Sequence, residues 1–361
     1  MKTLFCSVLM ALMMLHRGIS VCQAAEGPVL GLPPLPVTQN NPAYWTEMVA
    51  LGTKLFQDKH LSADGKVSCA TCHRPELVFS DGKPVAQGLR NQSGTRNTPS
   101  LVNVAYNTSQ FWDGRRTSLE EQALDPLINP IEHGLRNPQQ VLDLIQKDAS
   151  YLTAFKKAFG VTENNIRIEH VTKALASFQR TLVAGNSAFD RYQYGGDSDA
   201  LPASAHRGLE LFKGRAGCVA CHAIGDEAAL FTDQEYHALG IGVERLSHKL
   251  GFLTKKVSQA PTSERERMIG QDRDIAGLGR FNVTLAATDI GKFKTPSLRN
   301  VALTAPYLHD GSIATLEEVV ELELYYRRIN DPRPPLLTAN EKKDLVEFLK
   351  ALTSDSLPQV P

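Results

Sequence analysis

Two pentapeptides in this chain share one pattern: Cys69-Ala-Thr-Cys72-His73 and Cys218-Val-Ala-Cys221-His222. Cys-x-x-Cys-His is the spacing at which two thiols add across the vinyl groups of a porphyrin. The adjacent histidine is then held within reach of the iron and becomes its proximal ligand. Two copies imply two covalently bound c-type haems, and with them iron redox chemistry. Structural zinc held by the two Cys-x-x-Cys pairs is the competing assignment. Zinc pairs lie about 15–20 residues apart. These lie 149 apart, and each is followed directly by histidine. Haem is therefore the expectation, with zinc or disulfides as the alternatives.

Haem of this type is attached outside the cytoplasm, and the N-terminus fits. Lys2 gives a positive start, Leu4 to Leu15 form an apolar run, and Ala24 and Ala25 offer a cleavage site. Residues 1–24 thus read as a secretory signal, with the periplasm as destination. The run is too short to span a membrane, and no later segment is apolar enough to do so. A lipoprotein cysteine at Cys22 is the rival, but Val21 before it is not a small residue. Cys6 and Cys22 leave with the signal, so the four remaining cysteines are all used for haem. No disulfide is expected, even in an oxidising compartment. Cleavage also removes Lys2 and Arg17 and takes the formal charge from 0 to −2. Nothing in that balance suggests a nucleic-acid partner.

The elements that must position the haems come from an internal duplication. Gly52-Thr-Lys-Leu55-Phe56 precedes the first motif and Gly208-Leu-Glu-Leu211-Phe212 the second. Each should end a helix whose Leu and Phe face a haem. Thr98-Pro-Ser-Leu-Val-Asn103 returns as Thr295-Pro-Ser-Leu-Arg-Asn300, an offset of 197. Trp112-Asp113-Gly114 and His309-Asp310-Gly311 keep that offset, as do Leu119-Glu-Glu121 and Leu316-Glu-Glu318. The second half therefore carries 48 extra residues after its haem motif, including Glu264–Arg267 and Asp272–Phe281. At that length a functional loop or subdomain is expected. Helical spacing predicts helices at 44–58, 138–147, 151–159, 169–184, 203–212, 316–328 and 339–353, the last begun by Thr338. Strand alternation is scarce, and Pro28 to Pro36 reads as an extended lead-in. The expected fold is mainly α: two cytochrome c-like haem domains, at residues 40–195 and 200–355.

With these motifs assembled, residues 40 to 355 resemble the bacterial di-haem cytochrome c peroxidase and MauG family. The resemblance rests on both haem motifs, Phe111-Trp-Asp-Gly-Arg115, Gln122, Pro126, Glu132 and the run from Lys294 to Gly311. It implies that hydrogen peroxide reacts at the N-terminal, peroxidatic haem, that the C-terminal haem stores or relays electrons, and that calcium sits between the lobes. Glu132, 20 residues after Trp112, would be the distal acid–base group. Peroxide binds iron after losing a proton, and its far oxygen must gain one to leave as water. A buried carboxyl with a raised pKa can do both. The resemblance makes Gln122 a second distal-pocket residue and Trp112 an electron relay between the haems. Asn97, Thr304 and Pro306 take the calcium positions, with the oxygen donors that calcium prefers.

Two departures from the family pattern matter. Many family members have a histidine about 16 residues after the first proximal His, where it caps the iron until the second haem is reduced. Leu89 stands there, and leucine cannot ligate iron; His60 and His133 are out of register. The first haem should be open to peroxide without prior reduction. Electron-accepting members also place a methionine opposite the second proximal His. Met268 is out of register, and the position falls on Glu323, a tyrosine in MauG. Glu323 and Tyr326 share a helix face, and one of them, or Tyr325, is the expected sixth ligand. A hard anionic oxygen favours oxidised iron, whereas a thioether raises the potential.

Three functions are consistent with these residues. The first is MauG-like oxidation of a partner protein's side chain by peroxide. The second is reduction of peroxide to water with electrons from a small cytochrome c or copper protein. The third is a non-enzymatic di-haem electron carrier, which Glu132 and an open first haem oppose. A radical route to the surface would run through Trp45, Tyr192 or Tyr194, since Trp45 and Trp112 are the only tryptophans.

Overall fold

A computed structural model describes residues 29–36, 42–330 and 336–360. The expected signal and Cys22 lie outside the described residues. Helices α1 (Pro42–Gln57), α2 (Leu119–Ile128), α3 (Pro138–Gln146), α4 (Ala149–Phe159) and α5 (Ile168–Arg180) build the first lobe. The second lobe follows with α6 (Ala188–Gln193) and α7 (Ala203–Lys213). The extra segment contributes α8 (Leu250–Gln259) and α9 (Thr262–Gln271), and α10 (Leu316–Asn330) and α11 (Ala339–Lys350) complete the chain. Two short strands, β1 (Tyr236–His237) and β2 (Phe293–Lys294), pair antiparallel. Among the described residues, no helix is long and apolar enough to cross a membrane.

The mainly α fold and its repeat are as expected. The same contacts recur in each lobe. Phe56 packs 4.8 Å from Phe178 in the first, and Phe212 packs 5.0 Å from Phe348 in the second. Such aromatic pairs add about 0.5–1.5 kcal/mol beyond the area they bury. α1 crosses α5 at Gly52, where an added Cβ would lie 2.0 Å from the Ala174 carbonyl oxygen. α7 crosses α11 at Gly208, with the same 2.0 Å gap to the Asp344 oxygen. The repeated glycines therefore set how closely the helix pairs approach.

Two helices end three or four residues before expectation. α5 stops at Arg180 rather than 184, and α11 at Lys350 rather than 353. The repeated asparagines explain both. Asn103 and Asn300 adopt left-handed backbone, with φ of 64° and 60°. Asn103 takes Ala184 N–H on its side-chain oxygen and donates its own N–H to the Leu182 carbonyl. Asn300 does the same with Ser354 N–H and the Leu352 carbonyl. Each pulls the chain out of the helix.

α2 and α6 are further helices that apolar spacing did not predict. α2 carries Pro126 inside it, yet Ser118 caps its start by accepting from Glu121 N–H. The extra segment is a helical subdomain, not a loop. Leu246, Leu253, Val257, Met268, Ile269, Ile275, Leu278 and Phe281 form a third buried cluster of its own. Met268 is thereby spent on packing.

Gly52→Ala should destabilise the fold by about 1–3 kcal/mol through overpacking against the Ala174 carbonyl, although alanine is the better helix former by about 1 kcal/mol. Thermal unfolding checks this; an unchanged or raised Tm would contradict the close crossing.

Candidate haem and peroxide site

Both histidines of the repeated motif are oriented in the same way. His73 Nδ1 lies 2.9 Å from the Phe79 carbonyl oxygen, and His222 Nδ1 lies 2.9 Å from that of Phe231. A backbone carbonyl can only accept, so Nδ1 carries the proton and the lone pair lies on Nε2, the nitrogen suited to iron. The acceptor loops are also built alike: Ser100 Oγ donates to the Val78 carbonyl and Ser297 Oγ to that of Leu230. All four motif cysteines are half-buried. The two pairs do not join in one ligand cluster among the described residues; Cys221 instead neighbours Asp233 and His237. A four-cysteine zinc site is thereby set aside. The repeated Cys-x-x-Cys-His, with an oriented imidazole in each copy, fits two haems.

In the first lobe, Glu132 is half-buried and accepts from Asn129 Nδ2 at 2.7 Å. Burial pushes its carboxyl above the usual range, against the pull of Arg115; Asp125 adds to the rise and the Asn129 bond opposes it. Leu89 is buried beside it, its N–H donating to the Ile131 and Glu132 carbonyls. The residue at the capping position is therefore apolar, and its backbone is bonded to that of the acid–base candidate. His133 is also buried, with Nδ1 2.7 Å from the Leu61 carbonyl oxygen and Nε2 3.9 Å from Cys69 Sγ. Burial lowers its pKa. Exposed His60 pairs with Asp58. Gln122 lies half-buried on α2.

Trp112 lies on a loop whose Phe111 is left-handed, with φ of 67°. Its indole N–H donates to the Asn97 carbonyl at 3.0 Å, and Lys294 N–H donates to its own carbonyl at 2.8 Å. Beside it, Asp113 is fully buried and bonded by Arg96 at 2.8 Å and Arg115 at 3.1 Å. Burial alone would raise Asp113, but Arg96, then Arg115, hold it at about 2. The repeat counterpart of Trp112, His309, is buried with its ring 3.7 Å from Phe293 and nearly parallel to it. Burial lowers its pKa to about 4. Asn97 joins the two, since its N–H donates to the His309 carbonyl. Its side-chain amide lies 2.9 Å from the Lys83 carbonyl oxygen and 3.3 Å from that of Pro306. Thr304 turns its hydroxyl to the Val301 carbonyl.

The extra subdomain closes on this region. Thr95 Oγ1 donates to the Ile269 carbonyl and Arg96 to that of Ala276. Arg116 bridges Asp125 at 3.0 Å and Glu266 at 2.6 Å. Arg280 donates to the Asp113 and Gly114 carbonyls. Asn129, Asp125 and Arg116 thus shape the site without having been singled out in the sequence, and Asp113 and Glu266 do so from motifs given no role there. Asn129 carried one usable signal, its position three residues before Glu132. In the second lobe, Glu323 and Tyr326 are both half-buried on α10, and Tyr326 packs against Gly240. Tyr325 is 58% exposed and touches the Tyr326 ring.

Comparison with known proteins decides the family. The family model of di-haem cytochrome c peroxidase matches residues 46–199. MauG of Methylorubrum extorquens is 38% identical over 87% of this chain and 82% of its own length. The chain belongs to the di-haem cytochrome c peroxidase and MauG family. The cytochrome-c peroxidase IdrP1 of Pseudomonas sp. strain SCT is 36% identical, covering 91% of this chain and 86% of itself. A solved MauG-like protein associated with microbial copper homeostasis superposes with a TM-score of 0.70 at 32% identity, over 90% of this chain and 94% of that one. The family member described here is therefore an oxidoreductase acting on peroxide, with two haems, and the carrier reading falls.

Replacing Asn129 with leucine removes a bond that pulls the Glu132 pKa down, so burial pushes that pKa further up. The acidic limb of the peroxide reaction should then move to higher pH. The rate of haem absorbance change against pH measures this, and a limb at unchanged pH would sink the coupling.

Proposed function

We propose that this chain is a periplasmic enzyme that reacts with hydrogen peroxide on the His73 side and passes the oxidising equivalents to a side chain of a partner protein. Cys69, Cys72 and His73 hold one haem, and Cys218, Cys221 and His222 the other. Each haem supplies an iron that changes oxidation state. The observation that carries this reading is Leu89, buried and bonded through its N–H to the Glu132 carbonyl, where many relatives place a capping histidine. An apolar residue there leaves the first site open without prior reduction.

The chain's own groups then do the proton work. Asn129 occupies Glu132 Oε1, so Oε2 is the oxygen left to take up and release a proton. A carboxyl raised by burial can take a proton from peroxide and return it to the departing oxygen. Gln122 is assigned a hydrogen bond to the bound peroxide. Trp112 carries electrons between the haems, its ring fixed by the Asn97 bond. Glu323 or Tyr326 supplies an oxygen ligand on the second side, favouring oxidised iron. Tyr325, exposed and in contact with Tyr326, is a better surface exit than the residues expected from sequence. Trp45 packs on the first core, Tyr192 bonds His206, and Tyr194 bonds the Gly225 carbonyl. Calcium is assigned to a site between the lobes. Rotating the Asn97 amide sets Oδ1 among the Lys83 and Pro306 carbonyls, and the Thr304 carbonyl is the remaining donor.

A second reading rests on the relatives named cytochrome-c peroxidase. There the electrons come from a small cytochrome c or copper protein and peroxide is only reduced to water. Peroxide added to the oxidised protein separates the two. Haem spectra that change at once, without reductant, and persist are expected. A requirement for prior one-electron reduction would favour the conventional peroxidase. Glu132→Gln should slow the reaction by about 10²–10⁴-fold, and full reactivity would refute its role.

A further inference from the structure

The two lobes differ behind their oriented histidines. In the first, five residues separate His73 from its acceptor Phe79; in the second, eight separate His222 from Phe231. A longer loop has more conformations to lose before its carbonyl can hold an imidazole. Across the repeat, Val102 in the first lobe is replaced by Arg299 in the second. Arg299 is buried, with both prongs 2.9 Å from the oxygens of fully buried Asp190.

Its remaining donors point at this longer loop and at a distant stretch of chain. Nε donates to the Ala229 carbonyl at 2.6 Å, and Nη2 donates to the Gly31 carbonyl. That same Gly31 carbonyl accepts Ala229 N–H at 3.0 Å. Both backbone groups of Ala229, two residues before Phe231, are therefore pinned. Residues 29–33 of the lead-in supply one pin and Arg299 the other. Leu30 adds a bond from Asn186 N–H, and Leu32 is buried. Gly31 has a φ of +81°, and an added Cβ would lie 1.9 Å from Asp190 Oδ1. Only glycine fits there.

A buried ion pair is weak evidence for stability, because desolvation offsets most of the attraction. Fixing one conformation is its better-attested use. We propose that Arg299 and the Gly31 segment are positioning elements for His222: together they fix the Phe231 carbonyl that accepts the hydrogen bond from its Nδ1–H. That bond raises the basicity of the imidazole, and a more basic ligand stabilises oxidised over reduced iron. The lead-in therefore lowers the potential of the second haem alone. The inference rests on haem attachment at Cys218, Cys221 and His222.

Gly31→Ala tests it without changing any charge. The alanine displaces the segment and loosens the Phe231 carbonyl. The second haem should become easier to reduce by about tenfold, which is 59 mV for a one-electron couple, while the first haem is unmoved. The His222 Nδ1 proton should exchange faster by NMR. Arg299→Lys, which keeps the charge but loses the fork, should act in the same direction and decides the matter if the segment stays docked in the first variant. Unchanged second-haem potential and Nδ1 exchange in both variants would overturn the proposal. A haem count of one in the unsubstituted protein would instead overturn the attachment on which it rests.

Discussion

Asp113 is a carboxylate with no access to water, and the centre of the molecule is arranged around keeping it charged. Burial alone would neutralise such a group. Arg96 and Arg115 hold it ionised. Each arginine then has a second task. Arg96 reaches the Ala276 carbonyl of the extra subdomain, and Arg115 opposes the rise in the Glu132 pKa. The Asp113 carbonyl receives Arg280 from that same subdomain. Breaking a buried pair costs about 3–5 kcal/mol, against a total stability of about 5–15 kcal/mol. The loop carrying Trp112 therefore has no cheap alternative conformation, and an aromatic side chain held in one place is what a relay between two sites needs.

Much of this was legible in the sequence because it is local or repeated. The haem motifs are five residues long, and the duplicated Thr-Pro-Ser and Asp-Gly runs mark equivalent places in each lobe. Glu132 was found through its distance from Trp112, and the structure places it beside Leu89, the residue that breaks the family pattern. What stayed hidden depends on pairs remote along the chain. Glu266 meets Arg116 across 150 residues, and Arg299 meets Gly31 across 268. No periodicity encodes such meetings. The extra segment was visible as a length difference, but its docking on the first lobe was not, since Thr95 and Arg96 bind backbone carbonyls that any sequence presents. α2 was missed for a different reason: Pro126 masks a helix that its Ser118 cap supports.

The repeat also shows where the two halves parted. Helix crossings, aromatic pairs, asparagine brackets and imidazole acceptors are kept in both. The differences sit against the chemistry: an apolar Leu89 near Glu132, His309 in place of Trp112, and Arg299 in place of Val102. Duplication preserved the scaffold, whose packing tolerates little change, and let the surroundings of each motif diverge.

Those differences cross between the halves. The subdomain that closes on Asn129's neighbourhood and clamps Arg116 belongs to the second half of the chain, yet it bears on the first half's site. The lead-in that pins Ala229 precedes the first half, yet it bears on the second half's histidine. Each lobe thus receives from the other the contacts that distinguish it. A lobe cut from this chain would lose the contacts that distinguish it, which is why two similar haem sites in one chain need not behave as two copies of one site.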